Sequence, residues 1–257
     1  MRTEEALYNQ ISPSFKRKLV PFIAADVSDF WRKIADAVFS WMLRHKFAAV
    51  RLKGLHNIHK RDKSKPCIIY APHICWWDAI IAYYTCRKIL KFDTRFMAEE
   101  LHLLPCLKKL GIFSIDKKSP KTMLKSLDFA IKNLDAPNKA VFIYPQGIIG
   151  PQDGEDFVFN SGISYLASRV EGVNLIPLAV RYGFLRESSP EVMIEINPPI
   201  VLEGVKDRHE VDYLCGHFKE LLNRQRKEIS MGDVSKYITV IRKRENIFRY
   251  FEKKIKT

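Results

Sequence analysis

Long apolar runs are missing from this chain. No stretch approaches the about 18 uncharged apolar residues that a bilayer-spanning helix needs. The start, Met1 to Glu5, turns acidic at once and lacks the apolar segment of a secretory signal. Cysteine is scarce and scattered: Cys67, Cys75, Cys86, Cys106 and Cys215 form no C-x-x-C pair. Their odd number points to reduced thiols in a cytosolic protein. Clustered Cys or His ligands are lacking, so no metal is expected. There is no P-loop or dinucleotide fingerprint, so no tightly held cofactor is expected either. The absence of Gly-x-Ser-x-Gly leaves no serine nucleophile motif, and without a zinc finger, RNP motif or helix-turn-helix signature nucleic acid is not an expected partner. Glycine (11) and proline (13) are too few for a collagenous or linker-like chain, and no repeat or low-complexity tract is present.

The 257 residues are 47% apolar, enough for one domain with a full core and short appendages. The composition divides into a helical, membrane-associating segment over 1–46, a central domain over 47–230 and a basic helical tail over 231–257. A net charge of +14 implies an anionic partner such as phosphate or an anionic membrane surface. Between Phe30 and Lys46, Phe30, Ile34, Ala37, Val38, Trp41 and Met42 share one helical face, and Arg32, Lys33, Arg44 and Lys46 lie mostly off it. That pattern fits an interfacial helix and a core-packed helix equally well.

Beyond Phe47 the pattern alternates. Strands are predicted over Phe47–Lys53, Cys67–Tyr70, Arg95–Ala98, Gly111–Ile115, Ala140–Tyr144, Leu175–Val180 and Val192–Ile196. Helices are predicted over Trp76–Leu90, Pro120–Asn133 (with Ser119 as its cap), Asn160–Val170 and Asp207–Ile229. The run Ala140–Tyr144 lacks polar alternation, which implies burial on both faces. The fold class this predicts is α/β: a mixed, mostly parallel central sheet flanked by helices, preceded by an N-terminal helical segment.

The residues most suited to chemistry are in Ala71-Pro-His73-Ile-Cys-Trp-Trp-Asp78, directly after a buried strand. Within one helix, five residues turn about 140° past a full turn, so His73 and Asp78 would face apart. They meet if His73 occupies the strand-to-helix turn and Asp78 the first helical turn. A carboxylate on one imidazole nitrogen fixes the tautomer and leaves the other nitrogen free to take a proton from a hydroxyl. Cys75, close by, points into an aromatic helix start and is a poor nucleophile candidate. A base without a protein nucleophile fits direct attack of a substrate hydroxyl on an activated acyl group. Of Trp76 and Trp77, one is expected to pack in the core.

From about Phe47 to Pro199 the chain resembles the glycerolipid (PlsC-type) acyltransferase family. His73-x4-Asp78 matches the first block. Phe96-Met-Ala-Glu-Glu-Leu-His-Leu-Leu-Pro105 and Leu110-Gly-Ile-Phe-Ser-Ile-Asp-Lys117 match the second, Phe142-Ile-Tyr144-Pro145-Gln146-Gly147 the third and Ile176-Pro-Leu178 the fourth. The resemblance implies that His73 is the general base and Asp78 its orienting partner, with Lys117, Tyr144, Pro145, Gln146 and Gly147 contributing to substrate binding. It implies acyl-CoA or acyl carrier protein as co-substrate, a lysophospholipid or glycerophosphate-like lipid as acceptor, and a peripheral position on the cytoplasmic face of a membrane. Backbone amides near Gly147 are candidates to stabilise the oxyanion.

The departures from the pattern concern the acceptor. The third block usually reads Pro-Glu-Gly followed by Thr or a similar residue and Arg; here Gln146 replaces the glutamate, and Ile148 and Ile149 fill the last two places. The basic residue usual before Glu100-Leu101 is also lacking. Arg is the preferred fork for phosphate and isoleucine donates nothing, so an acceptor without a phosphate head is the alternative: a glycolipid, an amino-lipid or a glycosylated carotenoid. A catalytically silent lipid-binding homologue is a further alternative, against which the intact pair counts. Gly147, Gly150, Pro151 and Gly154 are expected to make a mobile loop, with Asp153, Glu155 and Asp156 either solvated or part of a lid.

Overall fold

The computed structural model describes residues 21–99, 101–154, 157–185, 187–202 and 208–243. Helix α1 (Asp29–Lys46) leads into strand β1 (Ala49–Lys53) and, through a 3-10 turn, β2 (Cys67–Tyr70). Helix α2 (Asp78–Tyr84) follows, widening into a π turn over Thr85–Ile89, then β3 (Asp93–Ala98) and β4 (Ile112–Ser114). Next come α3 (Pro120–Lys132), β5 (Lys139–Ile143), α4 (Gly162–Arg169), β6 (Val173–Gly183), β7 (Glu191–Ile196), β8 (Ile200–Leu202), α5 (Arg208–Ser230) and β9 (Ile238–Arg242).

The nine strands form one sheet in the order β4-β3-β5-β2-β6-β7-β1-β9, with β8 beside the start of β6. The pairs β2–β5, β2–β6, β3–β4, β3–β5 and β1–β7 are parallel, and β6–β7, β6–β8 and β1–β9 antiparallel. The fold is therefore α/β with a mostly parallel sheet. The central strands read as continuous apolar runs because both faces are covered. Alternate residues show this directly. Ile69, Phe142, Ile176 and Leu178 pack on one side with Leu43 of α1 and Ile81 of α2. Ile68, Val141 and Leu175 pack on the other with Leu127 of α3, Leu166 of α4 and Phe218 of α5.

Helix α1 turns its expected apolar face outward. Arg32, Ala35 and Leu43 are buried, while Phe30, Ile34, Val38 and Trp41 stand exposed, as does Trp31. Arg32 is inward because its guanidinium meets Asp93 at 2.9 Å and lies against the Leu110 carbonyl. Residues 21–28 are not helical, which corrects the upstream part of the helical 1–46 segment; residues 1–20 lie outside the described residues.

The expected helical tail is also corrected. Ile238-Thr239-Val240-Ile241 is a β-branched run, stiff at χ1 and suited to a pleated surface. It forms β9, antiparallel to β1 at the sheet edge; the remainder of the tail, from residue 244, lies outside the described residues. The helix expected from Trp76 begins at Asp78, and β8 was not expected from the sequence pattern.

Candidate active site

Strands β2, β5 and β6 run parallel, with Tyr70 level with Ile143 and Pro177. Their C-terminal ends release 71–77, 144–150 and the end of β6 at one edge, the usual place for a site in an α/β sheet. His73 sits in the turn after β2 and Asp78 is the first residue of α2. The Asp78 amide donates to the Cys75 carbonyl (3.1 Å), closing the turn that folds the two side chains together.

Asp78 Oδ2 meets His73 Nδ1 at 2.9 Å and also accepts the backbone amides of Ile74 and Cys75. Its Oδ1 accepts the Tyr182 hydroxyl at 2.5 Å. Three N–H donors on one oxygen and a hydroxyl on the other make this buried carboxylate an acceptor on every side, so Nδ1 carries a proton and Nε2 keeps its lone pair. The imidazole side chain is 22% exposed and the carboxylate 3%. The partner is thus dry while the ring reaches the surface.

The Tyr144 ring lies flat on the imidazole, with centroids 4.1 Å apart and planes 14° from parallel. Burial, then the Asp78 carboxylate, push both the Tyr144 and Tyr182 hydroxyls far above the ordinary phenol range, so both stay protonated. The same two causes raise the Cys75 thiol, whose sulfur lies 3.9 Å from Asp78 Oδ1. Cys75 is therefore a thiol beside the pair, not a thiolate. Ile81, Phe142, Leu178 and Val180 line an apolar floor next to Asp78.

Residues 146–150 arch over the His73 backbone and hold it at both ends. Gln146 Oε1 accepts the His73 N–H at 3.0 Å, and Gly150 N–H donates to the His73 carbonyl at 2.9 Å. Gln146 thus keeps one thing a glutamate would offer at this position, an acceptor oxygen, without its charge. Asn160 pins the arch from behind, its side-chain amide donating to the Gln146 carbonyl (2.7 Å) and its N–H to that of Pro145 (2.9 Å). At Gly147 the backbone is left-handed (φ +69°) and an added Cβ would lie 2.9 Å from Asn160 Nδ2, so a side chain here is strained and displaces Asn160. Lys117 Nζ donates to the Gly147 carbonyl and pairs with Glu99 at 2.8 Å.

The structure therefore brings His73 and Asp78 into contact, stacks Tyr144 on the ring, ties Gln146 to the His73 backbone and sets Lys117 against Gly147. Pro145 is buried and enters through its carbonyl alone. The amide of Gly147 already donates to the Tyr144 carbonyl and that of Gly150 to His73, so neither is free for an oxyanion. The loop expected to be mobile is pinned by these bonds, by Gln152 holding both the N–H and carbonyl of Tyr182, and by Asp153 paired with Arg181. Glu155 and Asp156 lie outside the described residues. Trp77 packs on Phe47 (5.3 Å), whereas Trp76 is 64% exposed.

Tyr182, Gln152 and Asn160 were missed. For Tyr182 the signal was available: strand alternation puts it on the side of Leu178 and Val180, once β6 is followed past Val180 to Gly183. Gln152 and Asn160 lie in irregular backbone, where no periodicity marks them.

Residues 49–181, just over half of the chain, match the family model described as Acyltransferase. The fold is similar to the crystal structure of the 1-acyl-sn-glycerophosphate (LPA) acyltransferase PlsC from Thermotoga maritima, with a TM-score of 0.50, 19% identity and 77% of each chain covered. Comparison with curated proteins gives no match.

Proposed function

The chain belongs to the acyltransferase family, and from that premise we propose that it moves a fatty acyl group from acyl-CoA or an acyl carrier protein to a hydroxyl of a lysophospholipid-like acceptor. The observation that carries this reading is the buried Asp78 carboxylate on His73 Nδ1, which leaves Nε2 as the basic atom of a partly exposed ring. In the reaction, Nε2 takes the proton as the acceptor oxygen attacks the thioester carbonyl carbon. The new C–O bond forms, the carbonyl electrons shift to oxygen, and Asp78 offsets the charge of the imidazolium. Collapse re-forms the carbonyl and breaks the C–S bond. The departing sulfur receives the proton back from Nε2, so the base is regenerated and no covalent enzyme intermediate is required.

Among the described residues no helix is long and apolar enough to cross a membrane. The outward stripe Phe30, Ile34, Val38 and Trp41 supports a peripheral mode, with α1 lying in the bilayer interface and the +14 charge favouring anionic lipid. A second acceptor class is favoured by one observation: the third-block positions that would offer a phosphate fork are Ile148 and Ile149, and Lys117 is engaged by Glu99. A panel decides. Labelled acyl-CoA and acyl carrier protein are each offered with lysophosphatidate, a lysophospholipid with a larger head and a neutral glycolipid. Ester formed on the phosphorylated acceptors supports the first reading, and ester on the glycolipid alone supports the second. Thioester hydrolysis without any ester product contradicts both.

A further inference from the structure

The arch over His73 is fastened everywhere except at its apex. Gln146 and Gly150 hold the His73 backbone, Asn160 holds the Gln146 carbonyl, and Lys117 holds that of Gly147. Between these fixed points stand Ile148 and Ile149, 64% and 58% exposed. A single exposed isoleucine needs no explanation. Two in succession, on a rigid loop tip within a few residues of the catalytic ring, present apolar surface that folding does not use.

Their surroundings indicate what covers them. Trp76, exposed and three residues from His73, meets Trp77 at 5.4 Å, and Lys46 at the end of α1 lies over the Trp77 ring. Lys46 thus joins the C-terminal end of α1 to the tryptophans beside the site. On the arch side, Lys118 stands at the surface, next to Lys117, whose ammonium is held by Glu99 and the Gly147 carbonyl. Aliphatic tips with flanking indole and ammonium groups match the chemistry of an anionic bilayer interface, where the apolar side chains enter the acyl boundary and the cations meet the head groups.

We propose that Ile148 and Ile149 form a membrane-inserting tip that seats the mouth over His73 against anionic lipid, as a second point of attachment beside α1. This rests on the reading of the chain as a peripheral lipid enzyme. The place where the family pattern has groups able to hold a phosphate is given instead to holding the bilayer.

The test is flotation of the full chain with vesicles of phosphatidylglycerol and phosphatidylcholine. The polar, uncharged variant I148N/I149N should lower the partition coefficient by about tenfold or more, whereas I148L/I149L should match wild type. Both changes are at exposed positions, and unchanged melting curves confirm that the fold is intact. Independently, Ile149→Trp should add emission that brominated phospholipid quenches.

Partitioning of I148N/I149N at the wild-type level, or no added quenching, overturns the tip. If Trp41→Ala on α1 still reduces flotation in that case, the peripheral reading stands without it. If the wild-type chain does not float, the peripheral reading falls and takes the tip with it. If I148N/I149N floats normally but loses turnover only with acyl carrier protein as donor, the apex docks the donor and the proposal is wrong.

Discussion

Asp78→Asn separates charge from shape at the centre of the site. Asp78 Oδ2 faces three N–H donors, from His73, Ile74 and Cys75, whereas Oδ1 faces the Tyr182 hydroxyl and, more distantly, the Cys75 thiol. An asparagine therefore settles one way round. Its carbonyl takes the three donors, and its NH2 points at Tyr182, whose hydroxyl turns to accept. The His73 tautomer survives. What is lost is the negative charge opposing the imidazolium that forms as the acceptor proton moves. Opposite unit charges about 4 Å apart attract by about 4 kcal/mol at an effective dielectric of about 20. The ring is 22% exposed, so water screens part of this. A barrier increase of roughly 1.5–3 kcal/mol follows, or a fall in kcat of about 10- to 150-fold. Asp78→Ala differs in kind: it strands three donors and a hydroxyl and lowers the melting temperature as well as the rate. Steady-state acyl transfer and thermal melts on both variants check this. An Asp78→Asn enzyme within about threefold of wild type, or one as unstable as the Asp78→Ala variant, refutes the reasoning.

Other outcomes follow from the same structure. Because burial and Asp78 raise the Cys75 thiol, Cys75→Ala should keep acyl transfer, and intact mass after mixing with acyl-CoA should show no acylated protein. Alkylation near neutral pH should reach the exposed Cys106 before Cys75, with Cys75 reacting only at higher pH; the reverse order contradicts the assignment. Arg32→Ala should cost roughly 2–4 kcal/mol in chemical denaturation, because it leaves Asp93 short of a partner. Burial raises the Asp93 carboxyl, but hydrogen bonds from Arg95 and Arg32 outweigh it and hold the group below the usual carboxylate range. Its contribution is therefore complete above that range and lost as pH falls through the lowered folded value, so the acid limb of stability should be shallower in Arg32→Ala. Raising salt from about 0.1 to 1 M shortens the screening length from about 10 to 3 Å and should weaken vesicle binding; no change would show that the +14 charge is not the attraction.

Much of this architecture was legible because its signals are periodic. Continuous apolar runs such as Cys67–Tyr70 marked strands covered on both faces, and Ser119-Pro120 marked the start of α3, where the Ser119 hydroxyl accepts the Thr122 amide. The His73–Asp78 pair was legible from spacing and from the strand before it. What escaped depends on contacts distant in sequence. The apolar stripe of α1 has the same pattern whether it faces a core or solvent, and contacts distant in sequence, Arg32 with Asp93 and Leu43 with the sheet, decide which side turns inward. A basic tail reads as helical until its β-branched run finds the β1 edge. Gln152 and Asn160 act through pairs of hydrogen bonds across the fold from irregular backbone, where a polar residue carries no periodic mark of such a role.

The central claim is that Nε2 of His73 accepts the proton of the acceptor hydroxyl. The most direct measurement is a comparison of wild-type protein and His73→Ala in ester formation from labelled acyl-CoA and a lysophospholipid, with both proteins shown to be folded and bound to the same vesicles. The account predicts labelled ester with wild type and only background with His73→Ala, whose vesicle binding is unchanged. Ester formed by His73→Ala at a rate near wild type would contradict it.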